Sequence, residues 1–438
     1  MCINLEISIE NAEKFERENN WSEALNIYNK LLLKEPNKVN ILEKVGWCFS
    51  RLNKYNDAVE IFQKLSNLEP KKAKWDYMVG YQYYSMKEWD RAIEFFRLSL
   101  SKYPDYFIVK YRLGYALTQI SGKIQRLKSP NYLEAYKLFN ECESLWESMP
   151  EGDKNRERQH YADVCFQKSK ILIERSEWEE AIDSIKKSIK IDKNNTDYFY
   201  ILSKALCGKG EYEEALRVIP NSSKYYINEL KAKIYSQLKD IDRSIDLYTL
   251  ILKSRKRDYL YRQLGEEYVK KNDLPNAFIN IQKAIKLGSK NHTNYFALGN
   301  LYYKAGLLIS AKLELEKAHG IKQKEYNCDY IEALNLINEV NDQIKLNNIE
   351  TDDIKILNSL KKCLENKNDE IIQGKVKKYK AERGFGFIQS RDKDVYFHIS
   401  EVYKPHQKKL CEGINITFYI QESPKGLIAK DIRIIENQ

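Results

Sequence analysis

The sequence predicts a multidomain protein in which an all-α array of helical repeats precedes a small all-β barrel. Its 438 residues exceed what one ordinary hydrophobic core accommodates. A pattern of small residues, aromatic residues and prolines recurs along most of the chain, which indicates a repeat architecture. After residue 371 this pattern gives way to short alternating segments separated by glycines, which indicates strands.

The repeat pattern is most regular near the beginning of the chain. Ala24, Ala58 and Ala92 are 34 residues apart. Each is followed four residues later by an aromatic residue and twelve residues later by a proline. Small residues mark places where two helices approach closely, and proline ends a helix because it lacks a backbone donor. The pattern therefore predicts a helix–turn–helix unit that occurs three times in succession.

Later segments keep this pattern with lapses in spacing. Small residues hold the equivalent place at Ala181, Ala215, Ser244, Ala277 and Ala311. In the fourth unit the small residue comes late, at Ala135, which predicts a longer loop over residues 121–130. The units resemble the tetratricopeptide repeat family, which implies about nine stacked repeats over residues 5–322, forming a superhelix with a concave face. We expect a capping helix and a helical linker over residues 323–370.

The final segment, residues 371–438, contains five predicted strands. They cover Gly374–Lys380, Arg383–Gln389, Val395–Ile399, Ile414–Gln421 and Leu427–Ile435. Five short strands in so short a segment are typical of a small barrel of the oligonucleotide-binding (OB) class. The runs GKVKKYKAERGFGFI from Gly374 and DVYFHIS from Asp394 resemble the two ribonucleoprotein motifs of the cold-shock domain family. The resemblance implies a domain that binds single-stranded nucleic acid.

Strand alternation places the aromatic side chains of these motifs on a common face. Side chains two residues apart point the same way, so Phe385 and Phe387 share one face of their strand. Tyr396 and His398 share a face of the next strand. Bases stack on such rings for roughly 1–3 kcal/mol each, largely without regard to sequence. The resemblance to cold-shock domains implies that Tyr379 belongs to the same stacking platform.

Basic residues near the aromatic motifs are candidates for phosphate contacts. Residues 371–438 carry 13 Lys and Arg against 8 Asp and Glu, so this segment holds half of the chain's net charge of +10. The candidates are Lys375, Lys377, Lys378, Lys380, Arg383 and Lys425. Lys378 stands where cold-shock domains usually have tryptophan, and Ile399 where phenylalanine is usual. With these stacking partners missing, we expect weaker and more charge-dependent binding.

The resemblance to tetratricopeptide repeats also implies a groove for a partner on the first helix of each unit. The groove candidates are Trp47, Tyr77, Tyr81, Tyr84, Tyr111 and Tyr115. A tyrosine stripe at helical spacing also arises from ordinary helix packing, so both interpretations stay open. The basic loop with Lys123, Arg126 and Lys128 is expected to be solvated surface rather than a phosphate site.

No catalytic, metal or cofactor site is predicted. The five histidines and eight cysteines lack ligand spacing, and no phosphate-binding glycine loop or nucleophile motif is present. Without a signal peptide or a long apolar run, we expect a cytoplasmic protein, no membrane contact, and reduced, mostly buried cysteines. The sequence thus predicts a non-enzymatic adaptor that binds single-stranded RNA or DNA and an unidentified protein or peptide. The alternative is a pure protein-interaction scaffold whose barrel no longer binds nucleic acid.

Overall fold

The structure, a computed structural model, describes residues 8–122, 126–366, 372–390, 393–402, 404–423 and 426–435. The chain divides into two compact units, Met1–Leu230 and Lys231–Gln438. The described residues of the first unit form helices, whereas those of the second form helices followed by a β-sheet domain. The predicted order of an α-helical region followed by a β domain is therefore confirmed.

Consecutive helices of the first unit pack against each other along the chain. The helices are α1 (Ile9–Arg17), α2 (Trp21–Lys34), α3 (Val39–Arg51), α4 (Tyr55–Leu68), α5 (Ala73–Ser85), α6 (Trp89–Lys102), α7 (Phe107–Ile120), α8 (Pro130–Ser148), α9 (Glu151–Glu174), α10 (Trp178–Ile191), α11 (Thr196–Lys209) and α12 (Tyr212–Val218). Between α7 and α8 the described residues include a short 3-10 helix, Arg126–Lys128, in the loop that the late small residue predicts. Lys123 lies outside the described residues.

Two further small residues, Gly46 and Gly80, also stand 34 residues apart and lie where the two helices of a pair touch. A Cβ atom added at Gly46 on α3 would come within 2.7 Å of the Phe62 ring on α4. The same atom at Gly80 on α5 would come within 2.8 Å of Phe96 on α6. Both phenylalanine rings are fully buried. Glycine is therefore required at these two positions because any side chain would displace the ring that fills the pair.

Further helices form the first part of the second unit. They are α13 (Tyr225–Gln237), which begins just before the unit boundary, then α14 (Ile241–Ser254), α15 (Asp258–Lys270), α16 (Leu274–Leu287), α17 (His292–Lys304), α18 (Leu308–Tyr326), α19 (Ile331–Asn347) and α20 (Ile354–Asn366). Asp352 follows α19 and caps an earlier helix, because its two carboxylate oxygens accept hydrogen bonds from Ile309 N at 2.8 Å and Ser310 N at 2.7 Å. The segment between α19 and α20 is thereby fastened to the start of α18.

The β-sheet domain is a closed barrel in the order β1-β2-β3-β5-β4. Its strands are β1 (Ile372–Lys380), β2 (Phe385–Ser390), β3 (Lys393–His398), β4 (Asn415–Ser423) and β5 (Gly426–Ile434). Neighbouring strands are antiparallel except for β3 and β5, which are parallel. Alternate side chains fill the interior, among them the fully buried Ile388, Val395, Phe397 and Phe418. The opposite face of β1, β2 and β3 is thereby left for other contacts.

The prediction that the cysteines are mostly buried holds only in part. Cys48, Cys142 and Cys165 are buried, and burial raises the pKa of the Cys48 and Cys165 thiols to about 12. Cys328 and Cys411 are exposed, so the prediction is wrong for these two. Among the described helices, none combines the length and the apolar character needed to cross a bilayer.

Candidate nucleic-acid interface

The outer face of β1, β2 and β3 is arranged by a β-bulge in β1. The strand register pairs Val376 with Ile388 and then Lys378 with Phe387, so Lys377 is the extra residue of the bulge. A bulge sets two residues of one strand against one of its neighbour and changes which side chains face each way. Here it brings Lys378 to the outer face, directly beside Phe387.

Aromatic side chains form two adjacent rows across β2 and β3. Phe385 pairs with His398, and Phe387 pairs with Tyr396. The Phe385 and Tyr396 ring centroids are 6.0 Å apart and their planes are inclined by 30°. Phe387 meets Tyr396 edge-on, with ring centroids 5.9 Å apart. Phe387 is 38% exposed, which is unusual for a phenylalanine beside a complete hydrophobic core. The structure thus brings all four residues together on one accessible face.

Two glycines shape the surface between these rings. Gly386 is buried, and a Cβ atom there would lie 2.3 Å from the Lys378 carbonyl oxygen and 2.5 Å from the Phe397 ring. Gly384 adopts a φ of 65°, a left-handed conformation that glycine tolerates best. Its carbonyl oxygen accepts a hydrogen bond from Ile399 N at 2.7 Å, which ties the start of β2 to the end of β3. Close approach and a tight turn therefore account for both glycines.

The predicted phosphate-contacting cations differ in their exposure and in their partners. Lys375, Lys378 and Lys380 are exposed and paired in register with Gln389, Phe387 and Phe385. The Lys380 Nζ atom lies 5.8 Å from the centre of the Phe385 ring. Lys377 is different, because its Nζ atom forms an ion pair with Asp394 Oδ2 at 2.7 Å. Arg383 is exposed in the turn before β2, and Lys425 lies outside the described residues.

His398 and the next residue, Ile399, each take part in a hydrogen bond with a residue that follows β3. His398 Nδ1 lies 2.9 Å from Ser400 Oγ and accepts a hydrogen bond from Ser400 N at 3.3 Å. With Nδ1 accepting, the neutral ring carries its hydrogen on Nε2. Gln407 Nε2 donates to the carbonyl oxygens of Ile399 and Val402 at 3.1 and 2.9 Å. Gln407 thus holds the chain after β3.

In the repeats, most of the groove candidates form a continuous series of ring contacts on α3, α5 and α7. Trp47 contacts Tyr81 at 6.3 Å, Tyr81 stacks on Tyr84 at 6.5 Å, and Tyr84 meets Tyr115 at 5.7 Å. These four side chains are half-buried. Tyr77 and Tyr111 are only 9% and 7% exposed, so they pack the repeats and offer little surface to a partner.

The barrel residues match a known family. Residues 372–435 match the family described as the 'Cold-shock' DNA-binding domain. Over 66 residues, or 15% of this chain, the sequence is 41% identical to the cold shock-like protein CspC of Shigella flexneri and covers 96% of it. The chain belongs to the cold-shock domain family. This domain indicates nucleic-acid binding as its role.

The helical region also has relatives. Residues 42–71 and 76–106 match the tetratricopeptide repeat family. Over 130 residues the chain is 31% identical to a TPR repeat-containing protein of Methanocaldococcus jannaschii, covering 28% of this chain but only 22% of that protein. Yeast Tom70 shares 12% identity over 77% of this chain and 95% of its own, with a TM-score of 0.34, which is too low to support an inference. Tetratricopeptide repeats indicate a role in protein interaction.

The cold-shock domain differs at Tyr379 from the platform that the sequence predicts. Tyr379 pairs with Gly386, and its ring stacks on the buried Phe397 at 5.8 Å, so it does not join the outer rows. The bulge turns this side chain inward while its backbone N–H donates to Glu412 Oε1 at 2.9 Å. Strict alternation along β1 does not reveal the bulge, and Glu412 is distant in sequence, so neither feature could be found from the sequence.

Sequence reasoning also missed a charged residue among the tyrosines of the tetratricopeptide repeats. Arg112 on α7 is half-buried, and its Cζ atom lies 4.5 Å from the centre of the Tyr81 ring and 5.2 Å from that of Tyr84. Its Nε atom donates to the Tyr77 hydroxyl at 3.2 Å. Among the described residues, no cluster of His, Cys, Asp and Glu could hold a metal ion.

Proposed function

We propose that this protein is a non-enzymatic adaptor that binds single-stranded RNA or DNA through its cold-shock domain and a protein partner through its repeats. In this proposal residues 5–322 are the repeat array, 323–370 a capping helix and linker, and 371–438 a five-stranded OB-type barrel. We also propose that the protein is cytoplasmic, as its sequence predicts.

The observation that supports nucleic-acid binding most directly is the exposed double row Phe385–His398 and Phe387–Tyr396. Residues two apart on a strand are separated by roughly 6.6 Å along it. One unstacked base of an extended single strand therefore fits each row. Bases in a duplex are paired and stacked on their neighbours, so they cannot turn onto the sheet. The geometry favours single strands over duplexes.

Charge adds a second, less specific contribution. Lys375, Lys378 and Lys380 line β1 beside the rings, and among the described residues of the outer face Asp394 is already neutralised by Lys377. A phosphate backbone that follows β1 would meet these ammonium groups while its bases reach β2 and β3. Each neutralised phosphate contributes a salt-dependent term to the affinity.

The competing proposal is a scaffold whose barrel binds only protein. It is favoured by Lys378 and Ile399, which replace two stacking surfaces that cold-shock domains usually have. Half-exposed rings could also contact a protein. The two proposals differ in whether the chain binds a free oligonucleotide at all.

The test is binding of the full chain to a short pyrimidine-rich single strand and to the matched duplex. The double variant Phe385→Ala, Phe387→Ala should lose about 2–5 kcal/mol of binding free energy if stacking is additive. The control variant Tyr103→Ala removes a ring that is 51% exposed but lies in the helical region, distant in sequence from the barrel. It should bind the oligonucleotide as the wild type does. Wild-type affinity in the folded double variant contradicts the stacking role. No binding by the wild type supports the scaffold.

A further inference from the structure

Two pockets in the first unit are lined by equivalent positions of two different repeats. The first has a volume of about 280 Å³ and is lined on α10 by Glu179, Ile182, Asp183 and Lys186. The second has a volume of about 360 Å³ and is lined on α6 by Asp90, Ile93, Glu94 and Arg97. Each residue of the second set stands 89 residues before its counterpart in the first. The array therefore carries the same sequence of acidic, apolar, acidic and basic side chains at two pockets.

Both pockets lie where the helix pairs are irregular. The second helix that borders the first pocket, α12, has 7 residues, whereas α10 has 14. At the second pocket, α7 ends at Ile120 and α8 begins only at Pro130. A short or late second helix leaves room beside the preceding pair. Apolar side chains of the first helix form the floor, namely Leu202 and Leu206 of α11 in the first pocket and Leu117 and Ile120 of α7 in the second.

The rims of the pockets carry carboxylates that lack a partner. Among the described residues, the side chains of Asp90, Glu94 and Asp183 form no hydrogen bond or ion pair, and Glu179 has only a long contact of 3.7 Å with Lys209 Nζ. Acidic residues in the first turn of a helix interact favourably with its dipole, which accounts for Asp90 and Glu179. Asp183 and Glu94 lie one turn further on, so the dipole does not account for them.

A long cation with an apolar stem matches both the floor and the rim. Residues four apart on a helix have Cβ atoms roughly 5–6 Å apart, and the planar guanidinium has five donors with which it can reach both carboxylates. The methylene stem of an arginine can lie on the leucine and isoleucine floor while its charged end reaches the rim. A cavity of about 150 Å³ takes a benzene ring, so both pockets have room for a whole arginine side chain. We infer that the two pockets are docking sites for arginine side chains of a basic segment in the protein partner. This inference rests on the proposed protein-binding role of the repeats.

Other occupants fit these pockets less well. A purely apolar side chain would cover the carboxylates without replacing their hydration, which is costly. A phosphate backbone would be repelled by the paired carboxylates of each rim. Lysine carries its charge at one strongly hydrated point, so it gains less than arginine from a partly apolar pocket. None of the six groove candidates lines either pocket, so the docking surface is separate from the tyrosine stripe.

The experiment applies a positional-scanning library of N-acetylated, C-amidated octapeptides to the full chain. The wild type should select Arg about tenfold over Ala and Glu, because hydrogen bonds between charged groups are the strong ones. The pocket variant reverses the charge of both rims through Asp90→Lys, Glu94→Lys, Glu179→Lys and Asp183→Lys. It should select Asp and Glu instead of Arg. All four side chains are exposed, and a reversed preference cannot arise from a general loss of folding.

A matched control separates the pockets from the overall charge of the array. The control variant reverses four other exposed acidic residues that line neither pocket, namely Glu18, Asp105, Glu180 and Glu213. It should select Arg as the wild type does. Equal selection of Lys and Arg, the same selection in the pocket variant as in the wild type, or loss of selection in the control variant overturns the inference but not the protein-binding role. Absence of any peptide selection by the wild type overturns both.

Discussion

Lys378 is the direct cross-strand neighbour of Phe387 because the bulge at Lys377 shifts the register of β1 by one residue. Both side chains lie on the outer face, where cross-strand neighbours have Cβ atoms about 5 Å apart. An ammonium group and an exposed ring therefore share one row with Tyr396. In a family whose members usually place tryptophan at this position, one stacking surface is exchanged for a positive charge.

The first prediction concerns this exchange. Lys378→Trp should reduce the steepness of log affinity against log salt by about 0.7 for a single strand, because one phosphate contact is lost. The new ring should tighten binding at high salt, where charge contributes little. Oligonucleotide titrations over a range of salt concentrations measure both effects. All six native tryptophans lie before residue 179, so the difference in fluorescence between Lys378→Trp and the wild type reports on the barrel.

Lys378→Met is the matched control for that prediction. It should reduce the salt dependence equally without the gain at high salt, since it removes the charge and adds no aromatic surface. If the salt dependence stays the same in both variants, Lys378 does not contact the phosphate backbone.

The second prediction concerns Gly386. An alanine Cβ at this position would lie 2.3 Å from the Lys378 carbonyl oxygen and 2.5 Å from Phe397, a fully buried ring. Overpacking of this kind costs roughly 1–3 kcal/mol. Gly386→Ala should therefore speed hydrogen exchange across β1, β2 and β3 and weaken oligonucleotide binding.

The control for Gly386 is Gly152→Ala. Gly152 lies in helix α9, where an added Cβ meets no atom within 4 Å. This change should leave exchange in the barrel unchanged and stabilise its own helix by about 0.5–1 kcal/mol. Normal exchange and binding in Gly386→Ala would show that β1 and β2 can separate without loss of the platform.

The third prediction concerns a buried ionic group in the first unit. Glu143 on α8 is 8% exposed and pairs with Lys168 on α9 and, at 2.8 Å, with Lys187 on α10. Burial alone would raise the pKa of Glu143, but the hydrogen bonds and charges of the two lysines outweigh it and hold the pKa below its ordinary value. Glu143→Gln should lower the free energy of unfolding by about 3 kcal/mol at pH 7, because it leaves two ammonium groups without their partner.

The pH dependence has a definite sign. A carboxyl whose pKa is lower in the folded state contributes stability above its unfolded pKa, and this contribution is lost as the pH falls through the folded pKa. The difference between wild type and Glu143→Gln should therefore shrink below about pH 4.3, the ordinary pKa of glutamate. Urea unfolding followed by tryptophan fluorescence reports the first unit alone. Glu180→Gln, an exposed glutamate on α10, is the control, and a difference independent of pH would contradict the ionic role.

The sequence anticipates much of the barrel, and it does so for physical reasons. Alternation requires Phe385 and Phe387 to share a face and sends Phe397 inward, and the structure has this arrangement. The bulge breaks the alternation of β1, and therefore Tyr379 turns inward although its motif places it with the platform. A local irregularity of the backbone leaves no periodic trace in the sequence.

The repeats show the same limit. The close contacts at Gly46 and Gly80 follow the same 34-residue spacing as the recurring alanines, because both the small residue and its ring partner belong to one unit. The tyrosine stripe is predicted too, but its split into buried and half-buried members depends on the next helix pair. Arg112 was missed because an arginine that folds back over rings has no characteristic spacing.

The last prediction concerns whether the repeats take part in binding nucleic acid. The proposed linker, residues 323–370, has no run of Gly, Ser or Pro that would make it flexible, and Asp352 within it accepts hydrogen bonds from the first turn of α18. If the repeats offered a second surface, the full chain would bind long strands more tightly than residues 371–438, and the gain would grow with strand length.

We expect equal affinities at every length, because Arg112 covers the nearby tyrosine faces and Asp163 and Glu157 on α9 repel phosphate. Residues 371–438 suit this comparison because CspC is a cold-shock protein of nearly the same extent. Titration of both chains with oligonucleotides of increasing length decides the matter: a length-dependent gain in the full chain that disappears in Arg112→Met would show that the strand continues onto the repeats.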